Sequence, residues 1–327
     1  MTTKLGFLGL GWIGRSRLEA IRADGAASIA AIADPSRDAI QAALALAPGA
    51  AVAEGLEELL AMKLDGIVIA TPSALHAEQA IAALESGAAV FCQKPLGRSA
   101  PETKRVVQAA RLADRLLGVD FSYRDTRALA AVHEIVRSGE MGTIYAADLT
   151  FHNAYGPDKA WFHDPALAGG GCVMDLGIHL VDLALWMSGG AAVEGVSSRL
   201  FAKGRPLPLD PDAIEDYAVA QLDMDDGQVV RIACSWNLPA GCDAVIEATF
   251  YGTAGAASFR NVGGSFYDFV AERFDGTRRE KLVEPPDAWS GRTAAAWARK
   301  LAADPAFDPT IEEATAVAVV LDRIYGR

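Results

Sequence analysis

The chain has 327 residues, 51% of them hydrophobic and 22% charged, and its formal net charge is -12. This length suits two domains, because a single hydrophobic core stops growing at about 250–300 residues. The composition excludes wholesale disorder. The acidic balance argues against nucleic acid or an anionic membrane surface as a partner.

The cysteines and the N-terminus both point to the cytoplasm. The cysteines form no C-x-x-C pair and are predicted to be buried thiols of a reducing compartment: Cys92, Cys172, Cys234 and Cys242. The short apolar run after Lys4 ends in glycines, which does not resemble a signal peptide. We also find no run near the ~18 apolar residues that span a bilayer, and no ligand spacing typical of zinc.

The first 120 residues alternate short apolar runs with amphipathic stretches. Strands that are apolar throughout and separated by helices predict a parallel sheet covered on both faces, a doubly wound Rossmann fold. The predicted strands are Leu5–Leu8, Ile29–Ala33, Gly66–Ala70, Ala88–Cys92 and Leu116–Val119. The predicted helices lie near 13–23, 37–47, 74–86 and 101–114.

The pattern changes near residue 120, so we predict a dinucleotide-binding domain over 1–120 and a second domain over 121–327. From 192 to about 283, strand follows strand, which predicts a large, mostly antiparallel open sheet. Helices are predicted near 127–138, 172–187, 290–303 and 310–325, with strands at Thr143–His152, Tyr217–Met224, Gln228–Trp236, Ala244–Tyr251 and Ala256–Arg260. Asp226-Gly227 predicts a hairpin turn.

A glycine-rich loop joins the first predicted strand to the first predicted helix. It reads Gly9-Leu10-Gly11-Trp12-Ile13-Gly14, a G-x-G-x-x-G motif. The first glycine permits a tight turn, the second a close approach of backbone to a pyrophosphate, and the third close packing of helix on strand. The positive end of the helix favours phosphate. In this context the loop predicts a dinucleotide site, although glycines that serve packing alone are the alternative.

Asp34 ends the second strand, where an acidic residue binds the hydroxyls of the adenosine ribose. A carboxylate repels a 2′-phosphate, so Asp34 favours NAD over NADP. Ser36 and Arg37 follow directly and offer the alternative of a 2′-phosphate site. We therefore predict NAD as cofactor, with NADP possible.

Asp175 and His179 are the strongest candidates for chemistry in the second domain. Their spacing places both on one face of a helix, where a carboxylate orients an imidazole and raises its basicity. The triple glycine 169–171 before this helix suggests room for a ligand at the helix N-terminus. A solvated polar face is the alternative, and a metal site that adds Asp182 lacks an obvious fourth ligand.

Two further groups of polar residues follow the third and fourth strands. Open α/β sheets bind ligands at these carboxyl ends, so we assign to the cofactor site Thr71, Pro72, His76, Gln93 and Lys94. Taken singly, Lys94 also fits an exposed strand-end lysine and His76 a helix-surface residue.

In combination, these motifs resemble the Gfo/Idh/MocA family of oxidoreductases, which includes inositol and sugar dehydrogenases. The resemblance covers nearly the whole chain and rests on the glycine loop, Asp34, Thr71 to His76, Lys94-Pro95 and Gly169 to His179. It implies a Rossmann domain followed by an α/β domain whose open sheet forms a homodimer or homotetramer.

The family resemblance also implies roles for individual residues. His179 would take the hydroxyl proton, Asp175 would orient the substrate or His179, and Lys94 would hydrogen-bond the reacting oxygen. Trp161 matches a family aromatic near the substrate, and Tyr123 is implied to touch substrate, with interdomain packing as its alternative. Arg124 lies beside it at the crossing between domains.

One position departs from the family pattern. The family usually reads Glu-Lys-Pro, whereas this chain reads Gln93-Lys94-Pro95. Glutamine keeps the shape and hydrogen-bonding capacity but loses a negative charge beside Lys94. The pH optimum and the direction of the reaction are the properties this change would affect.

The sequence thus predicts an NAD(P)-dependent dehydrogenase that acts on CH–OH groups of a sugar, cyclitol or related polyol. One alternative is a reductase of another small carbonyl or of a sugar nucleotide. Another is a catalytically silent NAD(P)-binding sensor, against which the retention of Lys94, Asp175 and His179 argues. Within the loop 153–168 and nearby, Lys159, His152 and His163 are candidate contacts to hydroxyl or carboxylate groups.

Overall fold

The computed structural model describes residues 2–207 and 213–327. The chain forms two compact units. One comprises Met1–Ser122 with Ser290–Thr315, and the other comprises Tyr123–Trp289 with Ala316–Arg327. We call them the Rossmann unit and the sheet unit.

The Rossmann unit is built on a six-stranded parallel sheet with the order β3-β2-β1-β4-β5-β6. Its strands are β1 (Thr3–Leu8), β2 (Ala27–Ala33), β3 (Ala51–Val52), β4 (Gly66–Ile69), β5 (Ala89–Cys92) and β6 (Leu117–Val119). Every residue of β4 and β5 is buried, as expected for strands covered on both faces. The predicted doubly wound fold is confirmed.

Helices α1 to α5 connect these strands. They are α1 (Trp12–Asp24), α2 (Arg37–Leu46), α3 (Leu56–Ala61), α4 (Ser73–Glu85) and α5 (Ala100–Ala113). Neither β3 nor α3 is predicted from the sequence. Both residues of β3 are exposed and α3 is only six residues long, so neither gives a periodic apolar pattern.

The segment Ser290–Thr315 packs with the Rossmann unit, and a single division at residue 120 does not capture this. Its helix α9 (Arg292–Ala303) places the Trp297 ring 5.6 Å from that of Phe91. A Cβ at Gly66 would lie 2.8 Å from the Trp297 ring, and one at Gly118 would lie 2.7 Å from it. These two glycines therefore make room on the sheet for the tryptophan.

The sheet unit contains a nine-stranded sheet with the order β15-β14-β13-β12-β7-β11-β10-β8-β9. Its strands are β7 (Ile144–Asn153), β8 (Val193–Ala202), β9 (Arg205–Pro206), β10 (Tyr217–Met224), β11 (Val229–Ser235), β12 (Ala244–Gly252), β13 (Gly255–Asn261), β14 (Phe269–Asp275) and β15 (Arg278–Val283). All neighbours pair antiparallel except β7 and β11. The prediction of a large, mostly antiparallel sheet is confirmed, including the hairpin at Gly227, whose φ is +88°.

The helices of this unit are α6 (Arg127–Ser138), α7 (Pro165–Ala168), α8 (Ile178–Met187) and α10 (Glu312–Tyr325). Of these, α6 packs against β13 to β15 and α8 packs against β7 and β11, while β10 and β12 alternate buried with more accessible residues. The stretch Pro165–Met187 is long and apolar enough to span a membrane, which the sequence analysis overlooked, but 83% of its most apolar window is buried. That burial is typical of the core helix of a soluble protein.

Candidate active site

The glycine loop is shaped by backbone contacts. Gly9 adopts a φ of +91°, and a Cβ there would lie 2.5 Å from the carbonyl oxygen of Ala70. A Cβ on Gly14 would lie 2.1 Å from the Gly9 carbonyl oxygen, so α1 packs directly against the loop. Gly11 forms the N-cap of α1 without a side-chain cap, and the first turn holds no acidic residue. The uncapped helix start fits the pyrophosphate of a dinucleotide.

Asp34 connects this loop to the end of β2. Its Oδ2 accepts the backbone N–H of Leu10 at 2.6 Å, and its Oδ1 accepts that of Ser36 at 2.8 Å. The Ser36 hydroxyl caps α2 by accepting the Ala39 N–H, while Arg37 is exposed in the first turn. Asp34 itself is partly accessible, so its carboxylate stays within reach of ribose hydroxyls. Trp12 is 56% exposed beside the loop, and Ile13 follows it on α1.

Thr71, Pro72 and His76 lie after β4, and hydrogen bonds hold them together. The Thr71 hydroxyl donates to Gln79 at 2.6 Å, and Pro72 is the N-cap of α4. The His76 ring is buried, with Nδ1 2.7 Å from the Pro95 carbonyl oxygen and Nε2 2.7 Å from that of Thr71. Burial lowers the pKa of His76, with a smaller contribution from the Lys94 charge, while the two carbonyl contacts act in the opposite direction. His76 thus joins the ends of β4 and β5.

Gln93 and Lys94 follow β5. Gln93 is buried, and its Nε2 donates to Asp120 Oδ2 at 2.5 Å. Lys94 is partly accessible, and the Lys94–Pro95 peptide is cis. The side-chain partner of Gln93 is therefore a carboxylate on the neighbouring strand end.

The helix that carries Asp175 and His179 differs from the predicted regular α-helix over 172–187. A π-helical turn occupies Val173–Gly177 and α8 continues from Ile178. π-helical turns often occur at functional sites because they shift the side chains that follow. Asp175 lies in this turn and His179 lies just beyond it.

The triple glycine before this turn accommodates protein side chains. A Cβ on Gly170 would lie 2.0 Å from the Tyr325 hydroxyl, and one on Gly171 would lie 1.9 Å from the Glu215 carbonyl oxygen. The Glu215 carboxylate accepts the N–H groups of Gly171 and Val173 at 2.9 and 3.0 Å, and the Tyr325 hydroxyl at 2.7 Å. The prediction of space for a ligand at this helix start is therefore wrong, because Glu215 occupies that space. Burial raises the pKa of Glu215, whereas these hydrogen bonds lower it by less.

The side chain of Asp175 is hydrogen-bonded to a residue of the sheet unit that follows β11. Its Oδ2 accepts the indole N–H of Trp236 at 3.1 Å. The rings of Phe162 and His163 pack against the Trp236 ring in T-shaped arrangements, with centroid distances of 6.4 and 5.8 Å. Trp161 stacks on Phe162 at 3.8 Å, so a continuous row of rings joins Trp161 to Asp175.

His179 is buried beneath an aromatic cluster. Tyr123 lies 4.9 Å from it in an edge-on arrangement and also contacts Phe151, Phe269 and Trp289. Burial, assisted by the Asp175 charge, raises the pKa of Tyr123 above its ordinary value. Tyr123 is thus a neutral phenol packed against His179.

The other residues considered for a metal site or for substrate contacts lie in different environments. Asp182 is buried in an ion pair with Arg124, whose Nη2 lies 2.5 Å from Oδ1. Among residues 2–207 and 213–327, no group of three His, Cys, Asp or Glu could hold a metal ion. His152 Nδ1 contacts the Ser235 hydroxyl at 2.7 Å, His163 contacts the Pro157 carbonyl at 3.1 Å, and Lys159 is exposed.

Sequence reasoning missed the residues that support the site. They are Arg17, Asp120, Glu215, Trp236 and Tyr325. Each meets its partner from a distant part of the chain, and none belongs to a motif. The only available hint was Gly170-Gly171, whose missing Cβ atoms make space for Glu215 and Tyr325.

Comparison with known proteins identifies the family. Residues 3–121 match the model described as "Oxidoreductase family, NAD-binding Rossmann fold", and residues 129–258 match the "GFO/IDH/MocA C-terminal domain". The chain belongs to the GFO/IDH/MocA family. The resemblance read from its motifs is thereby confirmed, and so is a Rossmann domain of the NAD-binding type.

Several members of the family are similar to this chain. D-glucoside 3-dehydrogenase of Escherichia coli is 29% identical over 212 residues, which are 62% of this chain and 60% of that protein. An oxidoreductase subunit of Amycolatopsis mediterranei, whose name assigns it to UDP-kanosamine synthesis, is 35% identical over 80% of this chain and 75% of its own. A structure of levoglucosan dehydrogenase with NADH superimposes with a TM-score of 0.84 at 22% identity, covering 100% of this chain and 96% of that one. At this level of identity, the structural similarity shows that the two proteins share a fold.

Proposed function

We propose that this family member is an NAD-dependent dehydrogenase that transfers a hydride between the cofactor and a CH–OH group of a sugar, cyclitol or related polyol. One observation carries the proposal: a buried helix presents Asp175, held by Trp236, together with His179, packed beneath Tyr123. A carboxylate and an imidazole fixed in this way suit proton transfer to and from a hydroxyl. The names of the glucoside and levoglucosan dehydrogenases support a carbohydrate as substrate.

We assign roles to the chain's own residues as follows. His179 accepts the proton of the substrate hydroxyl, and Asp175 orients the substrate or His179. Lys94 donates a hydrogen bond to the reacting oxygen. Trp161 and Tyr123 are proposed to contact the substrate, Trp161 by stacking on the apolar face of a sugar ring. When bound, the cofactor supplies the site that accepts or returns the hydride.

NAD is the proposed cofactor. The phosphates would be held at the uncapped start of α1 by Gly9, Gly11 and Gly14, with Trp12 and Ile13 as further proposed contacts. Asp34 is proposed to bind the ribose hydroxyls and to repel a 2′-phosphate, since its carboxylate lies between Leu10 and Ser36. Thr71, Pro72, His76, Gln93 and Lys94 are proposed to shape the nicotinamide end of the site.

A screen tests the proposed activity. Purified protein is mixed with NAD or NADP and with a panel of sugars, inositols, glycosides and sugar acids, and reduced cofactor is measured. We expect turnover of at least one polyol, with NAD preferred. Tight NAD binding without turnover across the panel would indicate a sensor, and a strong preference for NADP would contradict the role given to Asp34.

The sheet unit is proposed to form a homodimer or homotetramer through its open face. That face carries the ion pair between Arg231 and Asp148, 2.5 Å apart. Light scattering of the wild type and of Arg231→Glu tests this, and a wild-type monomer would contradict it. A cytoplasmic location is proposed because the four cysteines form no C-x-x-C pair and Cys92, Cys172 and Cys234 are buried.

A further inference from the structure

A buried charged cluster lies behind Lys94 in the Rossmann unit. Arg17, on α1, donates from Nε to Asp120 Oδ2 at 2.6 Å, and Gln93 donates to the same oxygen at 2.5 Å. The side chain of Asp120 is fully buried and that of Arg17 is 5% exposed. Asp120 Oδ1 has no hydrogen-bond partner within the described part of the chain. We call these three residues the Arg17–Asp120–Gln93 cluster.

The topology explains why the three meet. Cys92 and Val119 are register partners on β5 and β6, so Gln93 and Asp120 leave the sheet side by side at its carboxyl edge. The Asp120 N–H also donates to the Cys92 carbonyl oxygen at 3.0 Å. Arg17 reaches them from the helix that begins at the glycine loop. The cluster therefore links the loop helix to the turn that bears Lys94.

A buried ion pair of this kind is expensive to form, because both charges lose their water. It contributes little to stability compared with apolar residues of similar volume. A buried carboxylate that holds the residue directly before a candidate catalytic lysine is better explained by its effect on that lysine.

We propose that Asp120 is a positioning residue for Lys94, which it serves by holding Gln93 and by supplying the buried carboxylate that glutamine lacks and that balances the charge of Arg17. This rests on the proposed role of Lys94. The carboxylate that a Glu-Lys-Pro sequence would place at position 93 is, in this chain, placed on the neighbouring strand end. Arg17 donates to this carboxylate and fixes its orientation.

The sign of the effect follows from the cluster's net charge. With Arg17 and Asp120 both ionised the cluster is neutral, and Asp120→Asn leaves the positive charge of Arg17 uncompensated. A positive neighbour disfavours an ammonium ion, so more Lys94 becomes free amine at a given pH. Two other titratable groups face this turn: His76, in contact with the Pro95 carbonyl, and Cys92, whose pKa is raised by burial and by Asp120.

Trace acetylation with an amine reagent, read by mass spectrometry, tests the proposal without requiring turnover. The rate at Lys94 is divided by that at Lys104, an exposed lysine on α5. Relative to wild type, we expect Asp120→Asn to raise this ratio up to about tenfold and Gln93→Glu to lower it by a similar factor. The double variant Q93E/D120N, which moves the carboxylate to position 93, should return to within about twofold of wild type.

Control variants distinguish an effect of charge on Lys94 from a structural disturbance caused by the substitution. Asp65→Asn changes the charge equally at the opposite edge of the sheet, where Asp65 accepts the Lys4 N–H, and should leave the ratio unchanged. If Asp120→Asn does not fold, Gln93→Glu and Q93E/D120N decide the question, and Arg17→Gln gives a further variant with a net negative cluster. Equal ratios in Gln93→Glu and Q93E/D120N would overturn the proposal. Because no substrate is used, that outcome differs from a failure of the dehydrogenase assignment.

Discussion

Trp236 donates its indole N–H to Asp175 Oδ2 at 3.1 Å, across 61 residues of sequence. The tryptophan is 3% exposed and directly follows β11, so it is a rigid donor. A hydrogen bond to an ionised group is worth about 1.5–3 kcal/mol, enough to select one orientation of the carboxylate. Asp175 is therefore oriented by the sheet as well as by its own helix.

Replacing this donor tests the orientation directly. We expect Trp236→Phe to lower kcat/KM about tenfold or more, because the carboxylate loses its fixed orientation. Steady-state kinetics with a substrate from the panel measures the change. Trp297→Phe is a matched control, since its buried indole nitrogen has no hydrogen-bond partner among residues 2–207 and 213–327. An unchanged kcat/KM in Trp236→Phe would show that the contact does not matter for activity.

His179→Ala tests the general base. We expect kcat for oxidation to fall by about 10²–10⁴-fold, because proton removal then lacks its acceptor. Steady-state rates of oxidation for the wild type and the variant, with a substrate from the panel, provide the measurement. A loss of only a few-fold would reject the role.

The fold could be predicted from sequence to a greater extent than the site. Alternating strands and helices, the loop from Gly9 to Gly14 and Asp34 identify the Rossmann unit because local pattern and local chemistry coincide there. The π-helical turn at Val173–Gly177 was missed, since its apolar composition resembles that of a buried α-helix. Ser290–Thr315 was assigned to the second domain because its contacts with β4 and β5 depend on Trp297, far along the chain.

The supporting residues of the site depend on long-range contacts in the same way. Gly170 and Gly171 suggested space for a ligand, but protein side chains and backbone fill that space. Tyr325, which is 155 positions from Gly170, packs against Gly170, and Glu215, which is 44 positions from Gly171, packs against Gly171. Sequence alone shows that side chains are missing at these glycines. It does not show which atoms occupy the space.

Gly171→Ala tests this packing. The added Cβ would lie 1.9 Å from the Glu215 carbonyl oxygen, so we expect the free energy of unfolding to fall by about 1–3 kcal/mol. Urea denaturation measures it. Gly49→Ala is the control, because a Cβ there would lie more than 4 Å from every atom of the residues that the structure describes, apart from its chain neighbours. Equal stability of the two variants would contradict the packing described for the triple glycine.

Glu215 should make stability depend on pH. Its pKa is raised by burial, so the folded protein binds its proton more tightly than the unfolded chain does. The resulting stabilisation is present below the unfolded pKa and is lost as pH rises through the folded value. Relative to Glu215→Gln, the wild type should therefore lose unfolding free energy as pH rises above the ordinary value of 4.5. Parallel stability curves for the two proteins would contradict this.

Asp34→Ser tests cofactor choice. Removing the carboxylate eliminates its repulsion of a 2′-phosphate, so the ratio of Kd values for NADPH and NADH should fall by about tenfold or more. Fluorescence titration with both reduced cofactors measures the ratio. Because Asp34 also accepts the Leu10 and Ser36 N–H groups, some loss of NADH affinity is expected as well. An unchanged ratio would show that Asp34 does not determine the preference for NAD over NADP.

The central claim is hydride transfer from a polyol carbon under the control of the Asp175 and His179 helix. It is tested most directly with a substrate from the panel that carries deuterium on the reacting carbon. Mass spectrometry of the reduced cofactor should show the label in the wild type and a rate reduced by about 10²–10⁴-fold in His179→Ala. Bound NAD that gains no label from any deuterated polyol, in a folded wild-type protein, would contradict the account.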